Sequence, residues 1–197
     1  MAHPKRGTLH AAREACKLSA MRGYFGIGVE SISKAMNLGN LRRSAHAFGA
    51  RFFFAVNTAV EPAAEAISDT ADSPAHVPFY RFDRAADLVL PEGCKLVGVE
   101  ILDEAVELPS FPHPLAAAYV LGPERGRLSP AMIERCDHVV RIPSAFSINV
   151  GVAGAIVMYD RMLALGRFAA RPTNPRAALE PKPIHVYGAR HIRQPSE

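Results

Sequence analysis

Three short polar clusters stand where an apolar segment gives way to a helical pattern, and each carries side chains able to hold or polarise a ligand. The first is Asn37-Leu38-Gly39-Asn40-Leu41-Arg42-Arg43. An amide, a turn glycine and an arginine on the first turns of the following helix can converge on one point. The second is Gly122-Pro123-Glu124-Arg125-Gly126-Arg127-Leu128-Ser129, which sets a carboxylate in a tight turn just past an apolar strand. The third runs from Ile142-Pro143 through Ser144 to Ser147-Ile148-Asn149, ahead of a run apolar on nearly every face through Met158. Each also has a plain structural reading: an Asn/Gly turn with a surface Arg, a solvated loop charge, and N-capping, for which Ser and Asn are favoured.

The elements that must position these clusters follow from periodicity. Apolar segments at 22–33, 51–56, 95–102, 115–121 and 138–142 read as five strands. They alternate with helical patterns at 8–21, 40–48, 58–72, 83–90, 129–136 and 149–163. Residues 34–39 read as a loop, with Asn40 as N-cap and Gly49 as stop of the helix that follows. Ser129 and Pro130 suit the first positions of a helix. Strands that are continuously apolar and alternate with helices predict an α/β fold, a mostly parallel sheet with helices on both faces. Small residues Gly151, Ala153, Gly154 and Ala155 in the last helix let another backbone approach closely. That helix is apolar all round, so it is expected to be buried, and its apolar run is too short for a bilayer span, which needs ~20 apolar residues. Ligands in open α/β sheets bind outside the carboxyl ends of the strands, where all three clusters fall. Gly26 and Gly28 form a G-x-G without the third glycine of a dinucleotide fingerprint.

Composition narrows the partners. The chain has 197 residues, 49% of them hydrophobic, enough for a full core. Charge is uneven. Residues 1–22 hold five Lys/Arg against one Glu, and residues 165–197 six against two, whereas the body between carries twelve basic and sixteen acidic residues. Three segments are therefore expected: a basic N-terminal helix or arm at 1–22, the folded domain at 23–164, and a basic, Pro-containing arm at 165–197. Basic arms are the electrostatic footprint of a nucleic-acid or anionic partner, and they also serve solubility alone. The three cysteines, Cys16, Cys94 and Cys136, form no C-x-x-C pair, and the N-terminus lacks a signal-peptide pattern, so a reducing cytoplasm is expected. The eight histidines are scattered without metal-ligand spacing and read as surface or capping residues, so no metal is expected. Glu100, near a strand end, could face a ligand.

Taken together and in order, the three clusters resemble the SpoU-like branch of the SPOUT superfamily, the knotted RNA methyltransferases, over about residues 23–163. The pattern N-x-G-x-x-x-R followed by A-x-x-F-G is matched by Asn37, Gly39, Arg43, Ala45, Phe48 and Gly49. G-x-E with a further Gly and then L-S is matched by Gly122, Glu124, Leu128 and Ser129. I-P … S-[LI]-N-V-x-V-A is matched by Ile142, Pro143, Ser147, Ile148, Asn149, Val150, Val152 and Ala153. Two departures concern loop shape, and bear on the RNA target more than on the reaction. The second-pattern glycine comes early, at Gly126, with Arg127 where relatives often have Gly. The turn from Pro143 to Ser147 is shorter than in many relatives.

The resemblance implies a C-terminal trefoil knot, a homodimer, S-adenosylmethionine as cofactor, and methyl transfer to a ribose 2′-hydroxyl of RNA. It implies a cofactor site near Val99, Leu121, Gly122, Ile142 and Ile148. It makes Arg43 the central catalytic residue, with Asn37, Glu124, Ser147 and Asn149 shaping the site. Arginine is a poor base, since its pKa exceeds ~12. Its expected role is to clamp an RNA phosphate and stabilise a developing alkoxide. In the family the arginine and the knot loops can come from different protomers. Arg42, Arg43, Arg125 and Arg127 are expected to contact RNA. The 22 residues before the first strand are too few for a separate RNA-binding domain, which favours a compact target such as a tRNA loop over an rRNA surface. The competing reading is a knotted dimer that holds RNA without modifying it. A small-molecule methyltransferase is disfavoured by the basic arms.

Overall fold

The computed structural model describes residues 23–60, 76–166 and 168. The helix expected over 8–21, most of that over 58–72 and nearly all of both basic arms lie outside them. The chain divides into two units, Met1–Arg167 and Phe168–Glu197; the architecture below is that of the first.

Among the described residues seven strands form one sheet: β1 (Tyr24–Glu30), β2 (Phe52–Val56), β3 (Phe79–Phe82), β4 (Lys95–Val99), β5 (Val106–Glu107), β6 (Ala116–Leu121) and β7 (His138–Arg141). Their order is β3-β2-β1-β6-β4-β7-β5, and every pairing is parallel. Five strands were expected; β3 and β5 are the two edges, four and two residues long. Among the helices of the described residues, α1 (Ala35–Phe48), α2 (Pro130–Arg135) and α3 (Val150–Leu165) flank the sheet. The helix expected over 83–90 shrinks to a 3-10 turn at Ala85–Asp87.

Alternation along the strands divides the core in two. Phe25, Ile27, Val29, Phe53, Val97, Tyr119 and Val140 face α1 and α3 on one side. Phe52, Phe54, Leu96, Ala118 and Val120 face α2 and the 3-10 turn on the other. Successive strand residues point to opposite faces, so a sheet covered on both sides must be apolar throughout, which is why the strands read as continuous apolar runs.

Helix α1 begins at Ala35, five residues earlier than expected. Asn40 is therefore inside the helix rather than its N-cap, and Lys34 at the cap position makes no side-chain capping bond. The stop at Gly49 is as expected: φ is 75°, and its N–H reaches the carbonyls of Ala45 and His46. Helix α3 packs across α1 through its small residues. A methyl group on Gly154 would overlap the Leu41 side chain, so the glycine sets how closely the helices approach.

α3 is not covered all round. Val150, Gly151, Ala153, Gly154, Val157 and Met158 are buried, whereas Val152, Ile156, Tyr159 and Leu163 are exposed. Its second half carries a polar anchor. Arg161, 1% exposed, donates to the Pro114 and Leu115 carbonyls (2.6 and 2.9 Å) and to the Tyr119 hydroxyl (3.1 Å). The Tyr119 hydroxyl lies 2.6 Å from His113 Nδ1, and His113 Nε2 lies 2.9 Å from Asp160. Burial lowers the His113 pKa against the pull of Asp160, and it raises that of Tyr119 to about 12. A neutral His113 satisfies both contacts, donating from Nε2 to Asp160 and accepting at Nδ1 from Tyr119. His113 is thus a buried structural residue, not the surface or capping histidine that the sequence suggested.

Candidate active site

The carboxyl ends of β6, β4 and β7 open onto one cavity of about 510 Å³. Val99 ends β4, Leu121 ends β6 with Gly122 just after it, Ile142 follows β7, and Ile148 lies just ahead of α3. All five, expected at a cofactor site, line this cavity. So do Asn37, Glu124, Arg125, Ser147 and Asn149, together with Lys34, Glu100 and Ile101.

The three polar clusters are tied together by one chain of hydrogen bonds. Glu124 Oε2 accepts from the Ser33 N–H and hydroxyl, both at 3.1 Å. Its Oε1 accepts from the Lys34 N–H (3.1 Å) and from Asn37 Nδ2 (2.9 Å). Asn37 Oδ1 in turn accepts from Asn149 Nδ2 at 3.0 Å. Asn149 Oδ1 caps α3, accepting from Gly151 and Val152. The capping charge that α1 lacks locally thus comes from Glu124, about ninety residues away. A carboxylate is favourable at the positive end of a helix. Burial alone would raise the Glu124 pKa, but donors from Asn37 and Ser33 outweigh it and hold the carboxyl below its ordinary value. All four hydrogen-bond partners of this carboxylate are donors that fix its position, and Asn37 ties it on to Asn149.

Two more carboxylates hold the loop that bears Glu124. Glu100 accepts from the Leu128 and Ile101 N–H groups, each at 2.8 Å. Glu30, buried at the end of β1, accepts from the Ser129 N–H (2.7 Å) and hydroxyl (2.6 Å). Ser129 keeps its expected place as N-cap of α2, accepting from Met132 N–H at 3.1 Å. The loop doubles back tightly. A Cβ on Gly122 would sit 3.1 Å from Leu128 N and 3.4 Å from Glu100 Oε2.

The arginines divide. Arg125 and Arg127 are exposed, and of the two only Arg125 lines the cavity. Arg43 is exposed but lies outside this cavity, in a groove between α1 and α3 that it shares with Asn40, Ser44, Gly151, Ile156 and Tyr159. Asn149 lines both. Arg42, expected to contact RNA, is 7% exposed. Its guanidinium sits 5.1 Å over the Phe79 ring and donates to the Val77 carbonyl at 3.3 Å. Neighbours on a helix point about 100° apart, and Arg42 takes the inward face, packed in the core rather than presented at the surface.

The cavity suits a nucleoside carrying a sulfonium. Its size is in the range of small-molecule sites, ~300–1,000 Å³. Val99, Leu121, Ile142 and Ile148 give an apolar wall for a flat ring, the tight turn at Gly122 lets backbone approach, and Glu100 and Glu124 add negative charge near a cationic ligand. Among the described residues no group of three side chains could hold a metal ion, and no helix is long and apolar enough to cross a membrane.

Comparison with known proteins agrees with this architecture. The 23S rRNA (guanosine-2′-O-)-methyltransferase RlmB of Coxiella burnetii (strain RSA 493 / Nine Mile phase I) is 32% identical over 143 residues, covering 67% of this chain and 55% of the relative. The chain thus spans just over half the length of that protein. Among solved structures, an AdoMet-bound rRNA methyltransferase from Sinorhizobium meliloti shares the fold, with a TM-score of 0.65, 22% identity, and coverage of 74% of this chain and 60% of that one. So does the TrmH/SpoU tRNA modifying enzyme of A. aeolicus, with a TM-score of 0.60, 17% identity, and coverage of 78% and 83%. A family model matches residues 25–159, from the first strand through the exposed face of α3, and by that match the chain belongs to the SpoU rRNA Methylase family.

Proposed function

We propose that the chain is an S-adenosylmethionine-dependent RNA methyltransferase acting on a ribose 2′-hydroxyl. The observation that carries this reading is the joining of all three motif clusters at one cavity, through the bonds linking Glu124, Asn37 and Asn149. Family membership and the likeness to the 23S rRNA (guanosine-2′-O-)-methyltransferase of Coxiella burnetii support it. When bound, the cofactor would supply an activated sulfonium methyl group for transfer to the hydroxyl oxygen, whose proton leaves to solvent. The protein's task is then alignment, which alone lowers barriers substantially. Val99, Leu121, Gly122, Ile142 and Ile148 would hold the cofactor, and Ser147 would face it from the loop before α3.

In this reading Arg43 serves the cavity of a second copy. Within its own chain it lies outside the cavity, and the groove it occupies continues onto the exposed apolar residues Val152, Ile156 and Tyr159. A face of that kind on a helix calls for a partner, and a homodimer packed through α1 and α3 would cover it and complete the site. The trefoil knot belongs to the same proposal, supported by the return of α3 from β7 to pack on α1 beside the distant β1. Basic arms at both ends and the cavity-lining Arg125 and Lys34 suit an RNA partner, with a compact target such as a tRNA loop preferred over an rRNA surface. Free thiols at Cys94 and Cys136 suit the reducing cytoplasm.

The test is mass mapping of ribose methylation in tRNA and rRNA from cells lacking the protein. One missing 2′-O-methyl nucleotide, restored by the wild-type chain but not by an Arg43→Ala chain, is the expected result. Unchanged ribose methylation throughout would count against the reading.

A further inference from the structure

The turn between β7 and α3 carries a feature that neither the core nor the cavity wall uses. Phe146 is 76% exposed at its tip. Leaving a side chain of this size in water forgoes the gain of burying it, at a position where turn chemistry is served by small polar residues. The turn is braced: the Ser144 hydroxyl lies 2.9 Å from the Phe146 carbonyl and 3.3 Å from that of Ile142, across the base of the loop. Ser144 and Ser147, on either side, both line the cavity, which puts the Phe146 backbone at its rim, with the exposed side chain outside the lining itself. Phe146 is absent from the groove that holds Arg43. Two cations, Lys34 and Arg125, line the same cavity and are exposed.

We propose that Phe146 is the stacking platform for the base of the nucleotide whose ribose enters the cavity. This inference rests on the ribose-methyltransferase reading above. A 2′-oxygen placed in the cavity leaves its base, attached at the adjacent sugar carbon, just outside the opening. An unpaired base there meets an aromatic face, while the backbone phosphates meet Arg125 and Lys34. Stacking on an aromatic ring tolerates any base, because every base has a π-face. Phe146 thus selects for an unpaired nucleotide, and base identity is read elsewhere.

The experiment measures single-turnover transfer of labelled methyl to total tRNA and to rRNA, over a range of RNA concentrations at saturating S-adenosylmethionine. It compares the wild-type chain with Phe146→Ala, Phe146→Leu and Phe146→Tyr, alongside cofactor calorimetry and sedimentation. Phe146→Ala should raise the half-saturating RNA concentration about 5- to 150-fold, the equivalent of one stacked base. Phe146→Leu should show nearly the same loss, since it keeps apolar bulk but not the ring, and Phe146→Tyr should stay near wild type. Cofactor affinity and sedimentation should be unchanged in all three. The proposal is overturned if Phe146→Leu matches wild type, or if Phe146→Ala has no effect. It is equally overturned if Phe146→Ala weakens S-adenosylmethionine binding, which would make the ring a cofactor cap, or alters sedimentation, which would make it an interface residue. A wild-type chain that methylates no RNA would instead bring down the underlying functional reading.

Discussion

Replacing Glu124 by Gln separates a positioning carboxylate from a reacting one. Its oxygens face four donors: the Ser33 and Lys34 N–H groups, the Ser33 hydroxyl and Asn37 Nδ2. A Gln amide must turn its NH₂ toward one pair. If it faces Ser33, the hydroxyl can rotate to accept, but the Ser33 N–H is opposed by another donor. One bond to a charged acceptor is lost, worth about 1.5–3 kcal/mol when buried, with about 0.3–1 kcal/mol from the charge at the α1 N-terminus. The group is partly solvated, which discounts both to about 1–2 kcal/mol in total. For a protein of this size that lowers Tm by about 2–8 °C. The sign with pH follows from the lowered pKa. The carboxylate's contribution is complete above its ordinary pKa and is lost as pH falls through the depressed one. The difference between wild type and Glu124→Gln should therefore be full at pH 7 and close as pH falls below ~4. Scanning calorimetry at fixed protein concentration checks this, with methyl transfer measured well below the variant's Tm. Transfer reduced only modestly is the expected result. A variant as stable as wild type at every pH, yet inactive, would show that the carboxylate takes part in the chemistry, and would refute the positioning role.

Arg42 and Arg43 should part in opposite directions. Arg42→Ala should lose about 1–3 kcal/mol in urea unfolding, through its bond to Val77 and its place over Phe79, with RNA affinity unchanged; Arg43→Ala should leave stability intact and slow transfer ~100- to 1000-fold. Arg43→Lys should rescue poorly, since a point charge lacks the planar fork. Stability should also fall as pH drops below ~6.5, because His113 is held neutral in the fold and gains its proton more readily when unfolded; a His113→Gln chain should show a flatter profile in the same titration of Tm. Gly122→Val should abolish saturable S-adenosylmethionine binding in calorimetry while circular dichroism stays native, since the added side chain meets Leu128 and Glu100 across the tight turn.

The central strands, the Gly49 stop and the Ser129 cap were legible because each depends on local pattern, and the expected cofactor-site residues came with the family resemblance of the three clusters. What escaped the sequence depends on distant partners. The start of α1 was misplaced by five residues because its capping carboxylate, Glu124, comes from another loop. The Asn37–Asn149 bond spans 112 positions, which no local spacing reports. β5 is two residues long and offers no period to read. Helical geometry set Arg42 and Arg43 on different faces, but which one turned inward was decided by Val77 and Phe79, outside the helix. Arg161 and His113 sit amid apolar and Pro-rich surroundings, and their burial became visible only with Tyr119 and Asp160 between them.

The most direct test of the central claim is single-turnover incubation of the purified chain with methyl-labelled S-adenosylmethionine and RNA, followed by digestion to nucleosides and mass identification of the labelled product. Label on a ribose 2′-oxygen, lost in Arg43→Ala while that variant still binds the cofactor, is the predicted result. Label on a base, or no label on tRNA or rRNA despite saturable cofactor binding, would contradict the account.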